Sequence, residues 1–261
     1  MVTVKTKEQI EMMRIAGSIV AETLELIEKH IKPGISTLSL DKIAHEYIIS
    51  RGAKPSFLHY NGFPATICAS VDDVVVHGFP NEKLLEEGQI VSIDCGAIFK
   101  GWHGDAARTF AVGKISDEKQ KLIDVTKQSF FEGIKGLKEG TRLGDIGSRV
   151  QKYAEKHGYG VVRDFVGHGI GRQMHEDPAV PNYGYEGSGM KLKAGNTIAI
   201  EPMINMGSHE VKINGWDHRT RDGKPSAHYE NTVLITEDGC EILTQVSDEG
   251  RAILTSKLEA E

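Results

Sequence analysis

Four carboxylates interrupt segments whose composition otherwise belongs to buried β-strands, and nothing else in the 261-residue chain restricts its fold so tightly. Asp94 lies inside Gln89-Ile-Val-Ser-Ile-Asp-Cys-Gly-Ala-Ile-Phe99, and Asp105 opens Asp105-Ala-Ala-Arg-Thr-Phe-Ala-Val112. Glu201 ends Thr197-Ile-Ala-Ile-Glu201, and Glu230 stands near the start of Tyr229-Glu230-Asn-Thr-Val-Leu-Ile235. An ionised acid in an apolar setting is destabilising unless a cation neutralises it. Four such charges balance two divalent metal ions, so the fold is expected to bring these four segments to one point.

Spacing supports a shared site. Lys100-Gly-Trp-His-Gly104 joins the first two runs into a hairpin, and folding about Phe99 and Lys100 sets Asp94 opposite Asp105 on one face. The last two runs repeat the device across a longer polar excursion that contains Trp216. The chain also matches itself. Leu85-Glu-Glu-Gly88 and Val91-Ser-Ile-Asp94 correspond to Leu192-Lys-Ala-Gly195 and Ile198-Ala-Ile-Glu201 at an offset of 107 positions. Lys32, Gly34, Leu40, Tyr47 and Gly52 correspond to Lys138, Gly140, Ile146, Tyr153 and Gly158 at an offset of 106. A register shared across helix and strand makes chance likeness between two amphipathic helices the poorer account. One domain over residues 1–261 is expected, built of halves at roughly 1–113 and 114–261, with an acid pair from each meeting near a pseudo-two-fold axis.

With 39% hydrophobic residues and no Pro/Ser-rich linker, the chain can bury one substantial core. A net charge of -6 without a basic cluster argues against a specific nucleic-acid partner. The opening Met1-Val-Thr-Val-Lys-Thr-Lys-Glu-Gln-Ile10 has no apolar signal core, and no later segment reads as a membrane span, so a cytoplasmic location is expected. Cys68, Cys95 and Cys240, an odd number with no Cys-x-x-Cys pairing, read as reduced thiols.

Local signals give helices alternating with strand pairs. Thr6 and Gln9 fit a capping box, and Ile10, Met13, Gly17, Val20 and Leu24 recur at helical spacing, predicting a helix to about Lys29 that Pro33-Gly34 ends. Further helices are expected over 40–50, 118–137 and 143–156, with strands over 66–70 and 74–77. Ser116 followed by Asp117 and Glu118 marks a helix start. This is an α+β pattern with antiparallel hairpins, not the βαβ alternation of a doubly wound sheet.

A histidine joins the acids. In Val166-Gly-His168-Gly-Ile-Gly171-Arg-Gln-Met-His175-Glu-Asp-Pro178, glycines flank His168 and leave room for backbone, metal or substrate to approach. Alone, such a loop reads as a turn. Beside four acids, a neutral imidazole with several carboxylate oxygens suits Mn, Fe, Co or Zn.

These residues carry a family resemblance over nearly the whole chain. Cys68 through Val76-His77-Gly78, Ser92-Ile-Asp94, Gly104-Asp105-Ala-Ala-Arg-Thr109, Gly167-His168-Gly-Ile-Gly171 with His175, Glu201-Pro-Met203 and Tyr229-Glu230-Asn-Thr232 resemble the type I, bacterial-type methionine aminopeptidases. The resemblance implies the pita-bread fold and hydrolytic removal of the initiator methionine from nascent polypeptides whose second residue is small. It implies that Asp94, Asp105, His168, Glu201 and Glu230 hold two divalent ions (Co, Mn, Fe or Zn) that activate a water, with Glu201 shuttling its proton. His77 and His175 are implied as catalytic and substrate-binding groups outside the metal shell, contacting the amide and stabilising developing charge. Tyr60, Phe63, Cys68 and Trp216 are implied around the methionine side chain, with Phe63 where relatives often carry tyrosine and Met174 where an aromatic is common. A monovalent cation (Na or K) near Asp72, Val74 and Ser226 and a monomeric state follow from the same resemblance, while the charge reading leaves a local, transient ribosome contact open. His30, His45, His157, His209 and His218 read as surface residues, and His103 stays undecided beside Asp105.

Two rival readings stay open at this point. Proline-specific peptidases of the same fold share the five-ligand pattern but usually carry an additional N-terminal domain, whereas the repeat here begins almost at Met1. A catalytically inactive binding protein on this fold would typically have lost ligands, and here all five are present together with His77 and His175.

Overall fold

Hydrogen bonds at Thr6 start the chain's first helix. In a computed structural model that describes residues 2–246, the Thr6 side chain accepts the Gln9 N–H and the Gln9 side chain accepts the Thr6 N–H. This capping box opens α1 (Lys7–Glu28), whose apolar stripe Met13, Ala16, Val20, Leu24 and Ile27 is buried. α2 (Thr37–Ser50) begins three residues before the expected Leu40, because Ser36 accepts the Ser39 N–H. α3 (Asp117–Ile134) stops short of Leu137, since Gly136 takes φ +66°, which an α-helix cannot contain. α4 (Leu143–Lys156) runs as expected. No helix among the described residues is long and apolar enough to cross a membrane.

Fifteen short strands complete the described residues: β1 (Lys54–Pro55), β2 (Ile67–Val71), β3 (Val74–Val76), β4 (Ile90–Phe99), β5 (Trp102–Ala111), β6 (Gly160–Val161), β7 (Gly167–Gly169), β8 (Glu176–Val180), β9 (Thr197–Ile200), β10 (Met203–Asn205), β11 (Val211–Asn214), β12 (Asp217–Thr220), β13 (Ser226–His228), β14 (Asn231–Ile235) and β15 (Cys240–Ile242). In one sheet β4 pairs antiparallel with β1, β2 and β5; in another the order is β15-β14-β9-β7-β8. The first sheet packs Ile67, Val91 and Ile93 against Val20, Leu24, Leu40 and Ile48 of α1 and α2. The second packs Ile198, Ile200, Val233 and Ile235 against Phe130, Ile134 and Ile146 of α3 and α4. Both contacts are helix-on-sheet layers that bury one face of each element.

The same hydrogen bonds recur at the offsets seen in the sequence. Gly34 N–H donates to Leu85 O at 2.8 Å and Gly140 N–H to Leu192 O at 2.9 Å. Leu85 N–H donates to Ile35 O, and Leu192 N–H to Thr141 O. Each pair ties the loop before a helix to the loop before a site strand.

The first hairpin differs from expectation in register. Lys100 and Gly101 both take positive φ, 49° and 83°, the requirement of a two-residue turn matched to strand twist. The turn therefore lies one residue beyond the expected point, and Phe99 pairs with Trp102. Asp94 faces Ala107 while Asp105 faces Gly96, so the acids are diagonal neighbours, not opposed. A shift by an even number of residues keeps both on one face.

β5 also joins the two sheets. Ala107 and Glu230 exchange backbone hydrogen bonds, and two threonines extend this ladder where main-chain partners do not meet. The Thr232 hydroxyl accepts the Asp105 N–H at 3.0 Å and donates to the Asp105 carbonyl at 2.9 Å. The Thr109 hydroxyl does the same for His228, at 2.8 and 2.9 Å.

Candidate metal centre

Each acid is presented by a strand or by the residue beside one. Asp94 and Asp105 sit within β4 and β5; Glu201 follows β9, where Pro202 has no N–H to continue pairing, and Glu230 precedes β14. Pairing of Ile200 with Asn231, carried one step on, puts Glu201 across from Glu230. His168 projects from β7, between β8 and β9. Its flanking glycines serve the sheet: a Cβ at Gly167 would lie 2.3 Å from Ala199 O, and one at Gly169 2.1 Å from Asp177 O. The close approach of backbone expected of these glycines is present at both positions.

Asp94, Asp105, His168, Glu201 and Glu230 line one cavity of about 190 Å³. His168 Nε2 is 3.6 Å from Glu201 Oε1 and 4.0 Å from Asp105 Oδ2. Its Nδ1–H donates to Gly169 O at 2.9 Å, which fixes the tautomer and leaves the Nε2 lone pair directed at the acids. Asp105 is 4% exposed and Glu230 2%, yet Asp94 Oδ1, Asp105 Oδ1 and Glu230 Oε1 are buried without a hydrogen-bond partner. Orphaned carboxylate oxygens of this kind require a cation or a proton.

Electrostatics say the same. Burial, then Asp94 and Glu201, holds the Asp105 carboxyl well above the usual carboxylate range. Burial followed by Asp105, Glu201 and Asp94 does so for Glu230, and burial followed by Asp94 for Glu201. Asp94 rises too, chiefly through burial, with a hydrogen bond from Asp105 opposing the rise. Burial pushes His168 down to about 3, so its imidazole is neutral and able to donate a lone pair. Donor atoms of Asp105, His168 and Glu230 lie within 4.8 Å of one another, as do those of Asp94, His228 and Glu230. An imidazole with carboxylates at such spacing fits a divalent first-row metal.

The other expected residues gather on the same cavity: Tyr60, Phe63, Cys68, His77, His175 and Trp216, with Phe57, Asn61 and Met174. Phe63 and Trp216 meet edge to face at 5.5 Å, and Phe63 packs with Cys68 and Met174. Cys68 pairs with Asp94 across β2 and β4, and burial keeps its thiol protonated. His175 lies with its ring 4.3 Å from that of His168, and its Nδ1 is 2.8 Å from the Tyr60 hydroxyl. His77 has φ +60°, an uncommon backbone state for a non-glycine residue that clusters at functional sites.

Sequence reasoning missed two histidines. His218, read as a surface residue, is 6% exposed, and its Nδ1 lies 3.2 Å from His77 Nδ1. Its Nε2–H donates to Gly215 O at 2.9 Å, so its Nδ1 accepts from His77 Nδ1–H and His77 Nε2 is left as an acceptor. His228 was not singled out, although it stands two residues before Glu230, the spacing that puts strand side chains on one face. Of the other surface expectations, His30 and His209 are exposed while His45 and His157 are half-buried; His103 is buried and hydrogen-bonded to Ser56 at 3.0 Å.

Asp72, near which a monovalent cation is expected, has its side chain already engaged. Asp72 Oδ1 already accepts from Lys119 Nζ at 2.7 Å, and that ammonium also donates to Gly88 O. The Asp72 carbonyl accepts the Ser226 N–H.

Known proteins are similar to this chain over nearly its whole length. A methionine aminopeptidase of Clostridium perfringens is 54% identical over 248 residues, 94% of this chain and all of that protein. Methionine aminopeptidase 1 of Bacillus subtilis is 49% identical over 248 residues, again 94% of this chain and all of its own length. The crystal structure of methionine aminopeptidase from Rickettsia prowazekii superposes with a TM-score of 0.92 at 45% identity, covering 94% of this chain and 100% of that one. The pita-bread fold is thus shared. The model of metallopeptidase family M24 matches residues 11–237, which takes in all four acids and His168, and the chain belongs to that family.

Proposed function

We propose that this chain is a metal-dependent aminopeptidase that removes an N-terminal methionine from polypeptides whose second residue is small, using a dinuclear centre. One observation carries the reading: Phe63, Cys68, Met174 and Trp216 line the same cavity, of about 190 Å³, as the five candidate ligands. Aromatic and sulfur groups make favourable contacts with a thioether. The relatives named methionine aminopeptidase support the same substrate.

In this reading Asp94, Asp105, His168, Glu201 and Glu230 would hold two divalent ions, of Mn, Fe, Co or Zn, which would supply Lewis acidity toward the scissile carbonyl and acidify the attacking water. His77 Nε2, the acceptor left by the His218 contact, takes the N–H of the scissile amide. Tyr60 donates its hydroxyl proton to His175 Nδ1, so that Nε2–H faces the carbonyl oxygen where negative charge develops. Glu201 accepts the water's proton and passes it to the departing amine nitrogen. A monovalent cation (Na or K) held by backbone carbonyls near Asp72, Val74 and Ser226 belongs to the same proposal, with the Asp72 carboxylate itself paired to Lys119.

The two halves, roughly 1–113 and 114–261, are proposed to form one catalytic domain; the repeated loop hydrogen bonds and the ladder along β5 support this, with residues 247–261 outside the described part. A cytoplasmic monomer meeting nascent chains, with a transient ribosome contact, belongs to the same proposal, and three buried free thiols fit a reducing compartment.

The test is chelator-stripped protein with Mn, Co, Fe or Zn restored separately, assayed for free methionine from Met-Ala-Ser. Metal-dependent cleavage of Met-Ala-Ser but not Met-Leu-Ser or Ala-Pro-Ser is expected. Cleavage of Ala-Pro-Ser instead would move the chain to the proline-specific peptidases, and metal binding with no cleavage would favour a binding protein.

A further inference from the structure

His228 ends β13 and shares with Glu230 the extended segment that runs along β5. Its ring is buried, 2% exposed, and its Nε2 has no hydrogen-bond partner. That atom lies 3.7 Å from Glu230 Oε2 and 3.8 Å from Glu201 Oε2. Both separations are too long for hydrogen bonds. They approach the separation of two donor atoms on one ion, roughly 3–3.5 Å for bonds near 2.1 Å. The Thr109 hydroxyl bonds both the N–H and the carbonyl of His228, so the backbone that carries the ring is fixed from both sides.

Two donor sets follow, Asp105 with His168 and Glu230, and Asp94 with His228 and Glu230. Each holds one imidazole and two carboxylates, with Glu230 common to both. We infer that His228 is a sixth protein ligand of the metal centre, giving each of two divalent ions one imidazole nitrogen. The inference rests on the metal-centre reading above and goes beyond its five ligands. Nitrogen at both positions biases both toward borderline ions such as Zn, Co or Fe and away from Mg and Ca, which favour all-oxygen sites.

Cadmium-113 NMR on protein with nitrogen-15 in its histidine rings tests this with cadmium alone as the probe. Two cadmium resonances are expected, each split by one-bond coupling to a ring nitrogen. In His228→Gln one splitting is expected to vanish and that cadmium to bind at least about tenfold more weakly. The splitting from His168 is expected to persist, which reports that the centre and fold are intact. Two cadmium resonances of which only one is split in the unaltered protein, or two splittings that survive His228→Gln, would overturn the inference and leave the five-ligand centre standing. Protein that holds no cadmium would overturn both.

Discussion

Replacing Thr232 by valine removes one hydroxyl and keeps the side chain's shape. In the folded protein that hydroxyl accepts the Asp105 N–H at 3.0 Å and donates to the Asp105 carbonyl at 2.9 Å, and Thr232 is fully buried. Without it two main-chain groups are left unpaired away from water, at about 1–3 kcal/mol each. The added methyl returns about 0.8 kcal/mol of apolar burial. A net loss of about 1–5 kcal/mol is expected, a fall in Tm of roughly 2–20 °C for a chain of this size. Thr232→Ser keeps the hydroxyl and loses only a methyl, about 1 kcal/mol. Calorimetry of metal-free protein decides between them, and titration with Mn gives a second readout, because Asp105 carries one of the site carboxylates. A valine variant as stable as the parent, or a serine variant less stable than the valine one, would refute the argument that threonine completes the ladder between the two sheets.

Asp105→Ala is expected to abolish cleavage of Met-Ala-Ser and lower the bound metal measured by elemental analysis; full turnover in a metal-checked sample would sink the assignment. Tyr60→Phe leaves metal content unchanged and reduces kcat about five- to tenfold, the loss of a hydrogen bond worth about 1 kcal/mol; an unchanged kcat would remove Tyr60 from the mechanism. The metal-free protein should lose stability as pH rises above about 6.5, through the folded value of about 7 for Asp94 and the raised values of the other three acids. All four acids have raised folded-state pKa values, so their contribution is complete below the ordinary carboxylate range and is lost as pH rises through the folded values. His77 and His168, pushed down to about 4 and about 3, are neutral in folded and unfolded chain across most of that window. Each acid that ionises only on unfolding contributes a slope of about 1.4 kcal/mol per pH unit. Thermal melts with chelator should show this fall and melts with Mn should not; a metal-free Tm that rises with pH would contradict the burial argument.

Local chemistry was legible in the sequence wherever a contact closes within a few residues. The Thr6–Gln9 capping box and α4 needed only neighbouring side chains to specify them. The first hairpin was legible as a hairpin, but its register depends on Lys100 accepting a positive φ beside Gly101, a choice that composition does not announce. The four acids could be read because carboxylates in apolar strands are anomalous, and His168 because its glycine-rich loop stood beside them in the argument. His228 and His218 could not, because a histidine near a polar turn is ordinary until the backbone brings Glu201 or His77 to it from elsewhere in the sequence. The threonines that join β5 to Glu230's segment were hidden for the same reason: their partners lie more than a hundred residues away.

Anomalous scattering from crystals grown with Mn tests the central claim most directly. Two peaks are predicted, both within bonding distance of carboxylate oxygens from Asp94, Asp105, Glu201 and Glu230, with His168 Nε2 on one of them. A structure with full Mn in solution and no peak among these five residues, or with its peaks elsewhere on the chain, would contradict the account.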